Sequence, residues 1–350
     1  MQGRRTEPFW GALLSGLSVL YRTAIYIRRI FYGLHISKQN KISCPVISIG
    51  NITLGGTGKT PTVIQIAELL SRNDRRVVVV SRGYGRTDEA EIIVVSDGRS
   101  VLMDAQTGGD EPVLIASKLP RIPVVVGKKR YQTALLAIQR FRPDVVVLDD
   151  AFQHIRLKRD LDIVLVDAGN PFGNGKLFPA GILREPLGAL KRAHAVLITK
   201  IESTTDVNPL KETIRRNTRA RIFTSQQVPV DLIDYRNNEI KPLSALRGSK
   251  VLAMSGIARP DSFIKLLTSL GADIVATCTY PDHFGYKKKD LADVFQKAAD
   301  EKVSMIVTTE KDAIRLKSLH ADGIWALRIE LSVAEKNDWE TFLLEGLRNA

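Results

Sequence analysis

The strongest constraint on this chain is the way one apolar strand ends. Pro45 to Ile49 reads as a buried strand, the stretch Gly55-Gly56-Thr57-Gly58-Lys59-Thr60 follows within a few residues, and a helix-forming run extends from Pro61 to about Arg72. A glycine loop between a strand and a helix lets backbone N–H groups converge on phosphate oxygens, and the helix N-terminus adds its positive end. In that arrangement Lys59 reaches the β and γ phosphates and the Thr60 hydroxyl ligates Mg²⁺. The usual pattern has a further glycine five residues before the last one; Thr53 stands there instead. The flanking strand and helix restore the match, so the loop is expected to hold a nucleoside triphosphate.

Beyond the loop, short β-rich runs alternate with helix-length segments, the pattern of a parallel sheet wound on both faces. Strands are expected at Arg76–Ser81, Ile122–Val126, Asp144–Leu148, Ile163–Val166, Ala195–Ile198 and Arg221–Thr224, with an extra hairpin at Glu91–Ser96 and helices at Glu111–Leu119 and Lys129–Phe141. A second cycle begins at Lys250, with strands at Val251–Met254, Ile274–Thr279, Met305–Thr308 and Trp325–Ile329 and helices at Pro260–Leu270 and Lys287–Ala299. Pro229 to Arg247 is polar and irregular, which places the lobe boundary there. The expected fold is α/β: a P-loop NTPase-like parallel sheet lobe (41–228), a smaller second α/β lobe (229–350), and an N-terminal amphipathic helix (1–40). Two such lobes would suit an enzyme that closes around two substrates.

The strand Val145-Val146-Val147-Leu148 ends in Asp149-Asp150. A carboxylate at a strand end next to a phosphate loop is where such folds hold Mg²⁺, and Asp150, assisted by Asp149, is the candidate. Other polar loops at strand ends are Ser81 to Arg86, Gly109-Asp110-Glu111-Pro112, Gln153-His154, Arg184-Glu185 and Pro281-Asp282-His283. Each has an ordinary reading as a turn or cap, Asp110 before Glu111-Pro112 being a good N-cap. His35, His194 and His320 lack supporting context and read as structural. Thr199-Lys200-Ile201-Glu202 echoes a guanine-reading loop, but Thr and Glu occupy its key places, so guanine specificity is not expected. Two distant cysteines, Cys44 and Cys278, exclude a disulfide framework or a cysteine-built zinc site and read as inert thiols.

The net charge of +13 calls for an acidic partner, and its distribution chooses among them. Residues 1–41 hold seven Lys and Arg against Glu7 alone. The same stretch is the most apolar of the chain. On a helix, Ser15, Ser18, Arg22 and Arg29 form one stripe, and Trp10, Leu13, Leu14, Leu17, Leu20 and Ile27 cover much of the rest. Such a helix lies flat in an anionic bilayer surface; the alternative is a helix packed on its own domain. The uncharged run falls short of the roughly 20 residues of a spanning helix, and no small-residue cleavage site suggests a secretory signal. With the basic excess beside an apolar helix, the anionic partner is lipid and not nucleic acid.

Taken in order, GNITLGGTGKTP, SRGYGR, GGDEP, LDDAFQH, ILREP, SGIARP, YPDHF and TTEKD make the chain resemble the tetraacyldisaccharide 4′-kinase (lipid A 4′-kinase) family over nearly its whole length. The missing glycine at Thr53 departs from general phosphate loops, not from this family. The resemblance implies transfer of the γ-phosphoryl of ATP, with Mg²⁺, to the 4′-hydroxyl of a tetraacylated glucosamine disaccharide 1-phosphate. It further implies peripheral or monotopic placement on the cytoplasmic face of the inner membrane of Gram-negative bacteria, and ATP in an interlobe cleft. It places a catalytic carboxylate at Asp110 with His283 as its partner, joined by Lys59, and surrounds the metal acid Asp150 with Asp149, Gln153, His154, Arg184 and Glu185. Arg82 and Arg86, flanking Tyr84, then suit the 1-phosphate of the glycolipid acceptor, with a structural ion pair as the other reading. The competing class is a membrane-associated ATPase switch without lipid kinase activity. Its glycine loops carry a lysine where Leu54 stands here.

Overall fold

The computed structural model describes residues 8–34, 36, 38–83, 91–202, 204–319 and 321–348. Its contacts group the chain into two compact units, Met1–Val80 with Lys129–Gln226 and Ser332–Ala350, and Ser81–Lys128 with Gln227–Leu331. The linear boundary near residue 228 misses this grouping, because residues 81–128 leave the first unit and the C-terminal segment returns to it.

In chain order, the first unit opens with α1 (Pro8–Gly33), β1 (Val46–Asn51), α2 (Lys59–Arg72) and β2 (Val77–Ser81). The excursion contains β3 (Ile92–Asp97), α3 (Ala105–Gly108), α4 (Asp110–Lys118) and β4 (Pro123–Gly127). The chain resumes the first unit with α5 (Arg130–Phe141), β5 (Val145–Asp149), β6 (Leu161–Asp167), β7 (Ala195–Thr199) and α6 (Asn208–Asn217). β8 (Arg221–Ile233) carries residues of both units. The second unit follows with β9 (Ile240–Pro242), β10 (Lys250–Ser255), α7 (Pro260–Ser269), β11 (Asp273–Thr279), α8 (Lys288–Asp300), β12 (Met305–Thr309), α9 (Glu310–Leu316) and β13 (Ile324–Val333); α10 (Lys336–Arg348) closes the first.

The sheet of the first unit runs β8-β7-β6-β1-β5-β2, all parallel. Every residue of β1, β2, β5, β6 and β7 is buried. That is why these strands read as continuous Val/Ile/Leu runs: helices cover both faces of such a sheet. The loop after β5 presses against β1 so closely that a Cβ on Gly50 would come within 2.7 Å of Phe152 Cβ and 2.8 Å of its backbone nitrogen. α10, absent from the sequence reading, buries Trp339 edge-on against Phe223 (4.9 Å between centroids), and the indole N–H donates to Gln65 Oε1 (3.1 Å).

In the second unit β11-β10-β12-β13 is parallel, and β3 pairs antiparallel with β4. Alternate residues of its strands feed two cores, as period-two pleating requires. Val251, Ala253 and Val307 pack with Phe263 and Leu267 of α7 on one side. Leu252, Met254 and Ile306 pack with Leu291 and Val294 of α8 on the other. The stretch taken as irregular proves partly regular: β8 continues to Ile233 and pairs antiparallel with β9. Its alternating exposed and half-buried residues, with Pro229 among them, hide it from a search for apolar runs.

α1 packs on its own unit by one narrow face. Ser18 Oγ donates to Leu177 O (2.9 Å) and accepts from Ala180 N (3.0 Å), Tyr21 OH donates to Arg184 O (3.0 Å), and Arg28 Nη2 donates to Gln153 O (3.1 Å). The stripe read as polar therefore turns toward the protein at Ser15, Ser18 and Arg29, while Arg22 stays exposed. Leu13, Leu17, Leu20, Tyr26, Ile27, Ile30 and Phe31 are exposed, Leu20 at 68%. Among the described residues no helix is long and apolar enough to cross a membrane. His194 is structural as expected, its Nδ1 accepting from Asp162 N (2.9 Å); His35 and His320 lie outside the described residues. Both cysteines are free, and burial, with Asp160 and Asp144 nearby, pushes the Cys44 thiol up to about 11, well away from reactivity.

The contact at Gly50 generates a prediction. Gly50→Ala forces β1 and the Phe152 loop apart, and overpacking of this kind costs about 1–3 kcal/mol. A thermal-unfolding midpoint several degrees lower is expected; an unchanged midpoint would show that the two segments are not held in this contact.

Candidate active site

Four parallel strands of the first unit end side by side, and ligands of open α/β sheets bind outside such carboxyl ends. β1 runs out into the glycine loop, β5 ends at Asp149 in register with Ile49, and β6 and β7 end at Asp167 and Thr199, themselves in register. Gly55 (φ 104°) and Gly58 (φ 86°) occupy the left-handed region, which explains glycine at both. Gly58 caps α2 with no side-chain partner, so the first amides of the helix are left for a ligand. The loop is braced from below. Asn51 Nδ2 donates to the buried Thr57 hydroxyl (3.0 Å) and Thr199 Oγ1 donates to Thr57 O (2.8 Å). Lys200 Nζ donates to Gly56 O and pairs with Asp167 Oδ2 (3.1 Å). The Thr-Lys pair that echoed a guanine-reading loop thus supports the phosphate loop.

Lys59 and Asp150 meet, Nζ to Oδ1 at 3.7 Å, and Arg184 Nη1 donates to both Asp150 oxygens (3.0 and 3.1 Å). Arg184 arrives because the backbone of residues 182–184 bonds to that of Ile52 and Leu54, just before the glycine loop. Burial would raise the Asp150 carboxyl, but Lys59 and Arg184, helped by Arg130, outweigh it and hold it below the usual carboxylate range. Asp150 also sits at φ 46°, an uncommon conformation for a non-glycine residue. Asp149 and Thr60 are buried. Anionic and neutral oxygen donors of this kind are what a hard divalent cation takes, so Mg²⁺ fits the chemistry of Asp150, Asp149 and Thr60.

Gln153 and Glu185 form a second layer. Gln153 Nε2 donates to Asn51 O (2.8 Å) and to Glu185 Oε1 (3.1 Å). Glu185 is 1% exposed and is clasped by Arg192, with Nη1 to Oε2 at 2.8 Å and Nη2 to Oε1 at 2.9 Å. The Arg192 guanidinium lies 4.3 Å over the Phe152 ring. Sequence reasoning missed Arg192, which stands at the end of the short helix Leu187–Arg192 that follows Glu185. His154 is brought into the same loop but held neutral. Burial, then Arg130, Arg159, Arg156 and Arg28, lower it to about 4.

In the second unit Asp110 and His283 do meet, His283 Nδ1 donating to Asp110 Oδ2 (3.0 Å). The capping reading of Asp110 is corrected: Gly109 caps α4 and Asp110 is its first residue, with its side chain turned to His283 and Arg315. Arg315, unassigned by the sequence, donates through Nε to Asp110 Oδ2 (2.7 Å) and through Nη1 to Asp312 Oδ1 (3.0 Å), and its Nη2 lies 3.3 Å from His283 Nδ1. Asp312 is fully buried and also accepts from Gly256 N, Tyr286 OH and Thr309 Oγ1. α4 is fastened to α9 by Lys118–Glu310 (2.8 Å) and Lys311–Glu111 (2.5 Å), which brings Asp110 to Arg315. Burial works to raise Asp110, but the His283 hydrogen bond and Arg315 prevail and lower it. The bond to Asp110 raises His283 above the ordinary imidazole value, against burial and Arg315. His283 also has positive φ (61°), strain of a kind that clusters at functional sites. Arg82 is exposed at the end of β2, and Arg86 lies outside the described residues.

Comparison with known proteins accords with this geometry. Residues 10–348 match the family model described as LpxK, tetraacyldisaccharide-1-P 4'-kinase. The tetraacyldisaccharide 4'-kinase of Syntrophus aciditrophicus is 40% identical over 99% of this chain and 96% of its own length. That of Halothermothrix orenii is 39% identical over 92% and 88%. The crystal structure of LpxK from Aquifex aeolicus in complex with ATP superposes with a TM-score of 0.79 at 30% identity, covering 97% of this chain and 99% of that one. With the match running through the glycine loop, Asp150, Asp110 and His283 alike, the chain belongs to the tetraacyldisaccharide-1-P 4'-kinase family.

Proposed function

We propose that the chain transfers the γ-phosphoryl group of ATP to the 4′-hydroxyl of a tetraacylated disaccharide 1-phosphate, the lipid A 4′-kinase reaction. Family membership over residues 10–348 carries this reading, and it favours phosphoryl transfer to a glycolipid over a hydrolytic switch.

The residues divide the work. Backbone amides of Gly55 to Thr60 cradle the phosphates, and Lys59 neutralises charge on the transferring group. Thr60 and Asp150, with Asp149 behind, would hold Mg²⁺, which supplies charge neutralisation on the phosphate oxygens when bound. Arg184 and Lys59 keep Asp150 ionised for that purpose, and Glu185, Arg192 and Gln153 fix the surrounding loop. On the acceptor side, Asp110 accepts from His283 Nδ1, so Nε2 is the nitrogen that takes the hydroxyl proton. The 4′ oxygen forms its bond to the γ phosphorus as the bond to the bridging oxygen of ADP breaks. Arg82 serves the acceptor's 1-phosphate, together with Arg86.

Phosphoryl transfer has a loose transition state, so positioning and electrostatics provide most of the acceleration and the base a smaller share. That share is about 10²–10⁴-fold. His283 must be neutral to accept a proton, and its bond to Asp110 raises its pKa above 6.5. Turnover should therefore climb as pH rises through a midpoint above the ordinary imidazole value. Asp110→Asn removes the carboxylate that retains the proton, leaving burial and Arg315 to lower His283. Turnover should fall about 10²–10⁴-fold, the midpoint should drop to the ordinary value or below, and ATP affinity should change little. A midpoint that does not move would reject the pairing.

The acceptor is a lipid, and the exposed apolar face of α1 suits a membrane surface. We assign that face to the bilayer interface, with the polar stripe against the protein. In vesicle flotation, Leu17→Glu/Leu20→Glu should weaken binding about tenfold or more, while activity on detergent-dispersed acceptor persists. Undiminished flotation would refute the assignment.

A further inference from the structure

Where α1 ends, Arg28, Phe31 and Tyr32 line a cavity of about 510 Å³ together with Lys38, Asn40 and Arg156. Its lining holds three cations and no carboxylate. The arrangement is built by the backbone. Asn40 N donates to Arg156 O (2.7 Å), Lys158 N donates to Asn40 O (2.8 Å), and Gln39 Nε2 donates to Ile155 O (3.0 Å). This short ladder joins the segment after α1 to the loop after β5, so Lys38 and Arg156 open onto one space. Arg28 is held there by its bond to Gln153 O. Lys38 and Arg156 are exposed and form no ion pair among the described residues.

Like charges gathered without a counter-charge repel one another, and a bound anion removes that repulsion. Burial, then Arg130 and Arg159, lower the nearby His154, and Arg156 and Arg28 add to the effect. Two guanidinium forks and an ammonium suit a phosphate oxyanion, and Asn40 and Tyr32 add neutral donors. The Phe31 ring lines the cavity, and Ile27, Ile30 and Leu34 of the same stretch of chain are exposed. A ligand with a phosphate head and acyl tails satisfies both parts; a free anion satisfies only the first.

We propose that this cavity is a headgroup site for an anionic phospholipid of the bilayer, which fixes how α1 lies on the membrane. The proposal rests on the assignment of α1 to the membrane surface and adds to it a defined lipid contact. Lys38 and Arg156 have no place in the phosphoryl-transfer machinery, and both are exposed, so neutralising them leaves the fold and the detergent-dispersed activity unchanged.

The test measures binding of the full chain to phosphatidylcholine vesicles with and without phosphatidylglycerol. The comparison is between wild type, Lys38→Gln/Arg156→Gln, and the charge-matched control Arg140→Gln/Arg215→Gln, whose residues lie outside the cavity. The cavity variant should lose about tenfold or more of its affinity for the phosphatidylglycerol vesicles, keep its binding to phosphatidylcholine alone, and retain the wild-type thermal midpoint. The control should lose much less. Equal losses in the two variants would mean diffuse charge attraction and overturn the site while leaving the membrane assignment intact. Inorganic phosphate that displaces wild type as effectively as soluble short-chain phosphatidylglycerol would mark a simple anion site and overturn the lipid. No vesicle binding by wild type at all would remove the membrane assignment and the headgroup site with it.

Discussion

Everything at the nucleotide end depends on one constraint: buried parallel strands deliver their C-terminal ends to the same edge. β1, β5, β6 and β7 are buried along their length, so their polar groups concentrate where the strands run out. The glycine loop, Asp149-Asp150, Asp167 and Thr199-Lys200 are those run-out segments. Their mutual bonds, from Thr199 and Lys200 to the loop backbone and from Arg184 to Asp150, hold the loop in shape before any phosphate arrives. Preorganisation of that kind is where electrostatic catalysis comes from.

The two charged clusters are built on the same plan, a carboxylate held ionised by an arginine. Asp150 has Arg184 and Lys59; Asp110 has Arg315. In each case burial alone would push the carboxyl toward neutrality; Lys59 with Arg184 reverses this at Asp150, and His283 with Arg315 does so at Asp110. The difference lies in the next partner. In the proposed reaction Asp150 would hold Mg²⁺, whereas Asp110 pairs with His283 and would tune a proton acceptor. Arg315 is in turn fixed by the buried Asp312, which also holds Tyr286 OH beside Gly256; a Cβ at Gly256 would meet that hydroxyl at 2.8 Å and Asp312 Oδ1 at 3.0 Å.

Much of this was legible in the sequence because burial writes itself into composition. Continuous valine runs marked β2 and β5, and a glycine loop between strand and helix marked the candidate phosphate loop. What escaped detection was encoded in pairings. Arg315 lies 205 residues from Asp110, and nothing local singles it out among fifty-one Lys and Arg residues. Asp110 itself looked like a helix cap because Asp-Glu-Pro is what a helix start looks like; only the fold reveals that Gly109 caps instead. β8 was cut short because alternate polar residues interrupt its apolar signal. At the N-terminus the stripe of Ser15, Ser18, Arg22 and Arg29 was visible, but not the side to which it turns. Ser18 spends its hydroxyl on Leu177 and Ala180, and the apolar face is left outside.

The proposed reaction is phosphoryl transfer from ATP to a lipid. The most direct measurement incubates the full chain with γ-labelled ATP, Mg²⁺ and a tetraacylated disaccharide 1-phosphate, then locates the label on the recovered lipid. Label at the 4′ position, lost on Lys59→Ala, is the expected result. Release of labelled inorganic phosphate with no labelled lipid would contradict it.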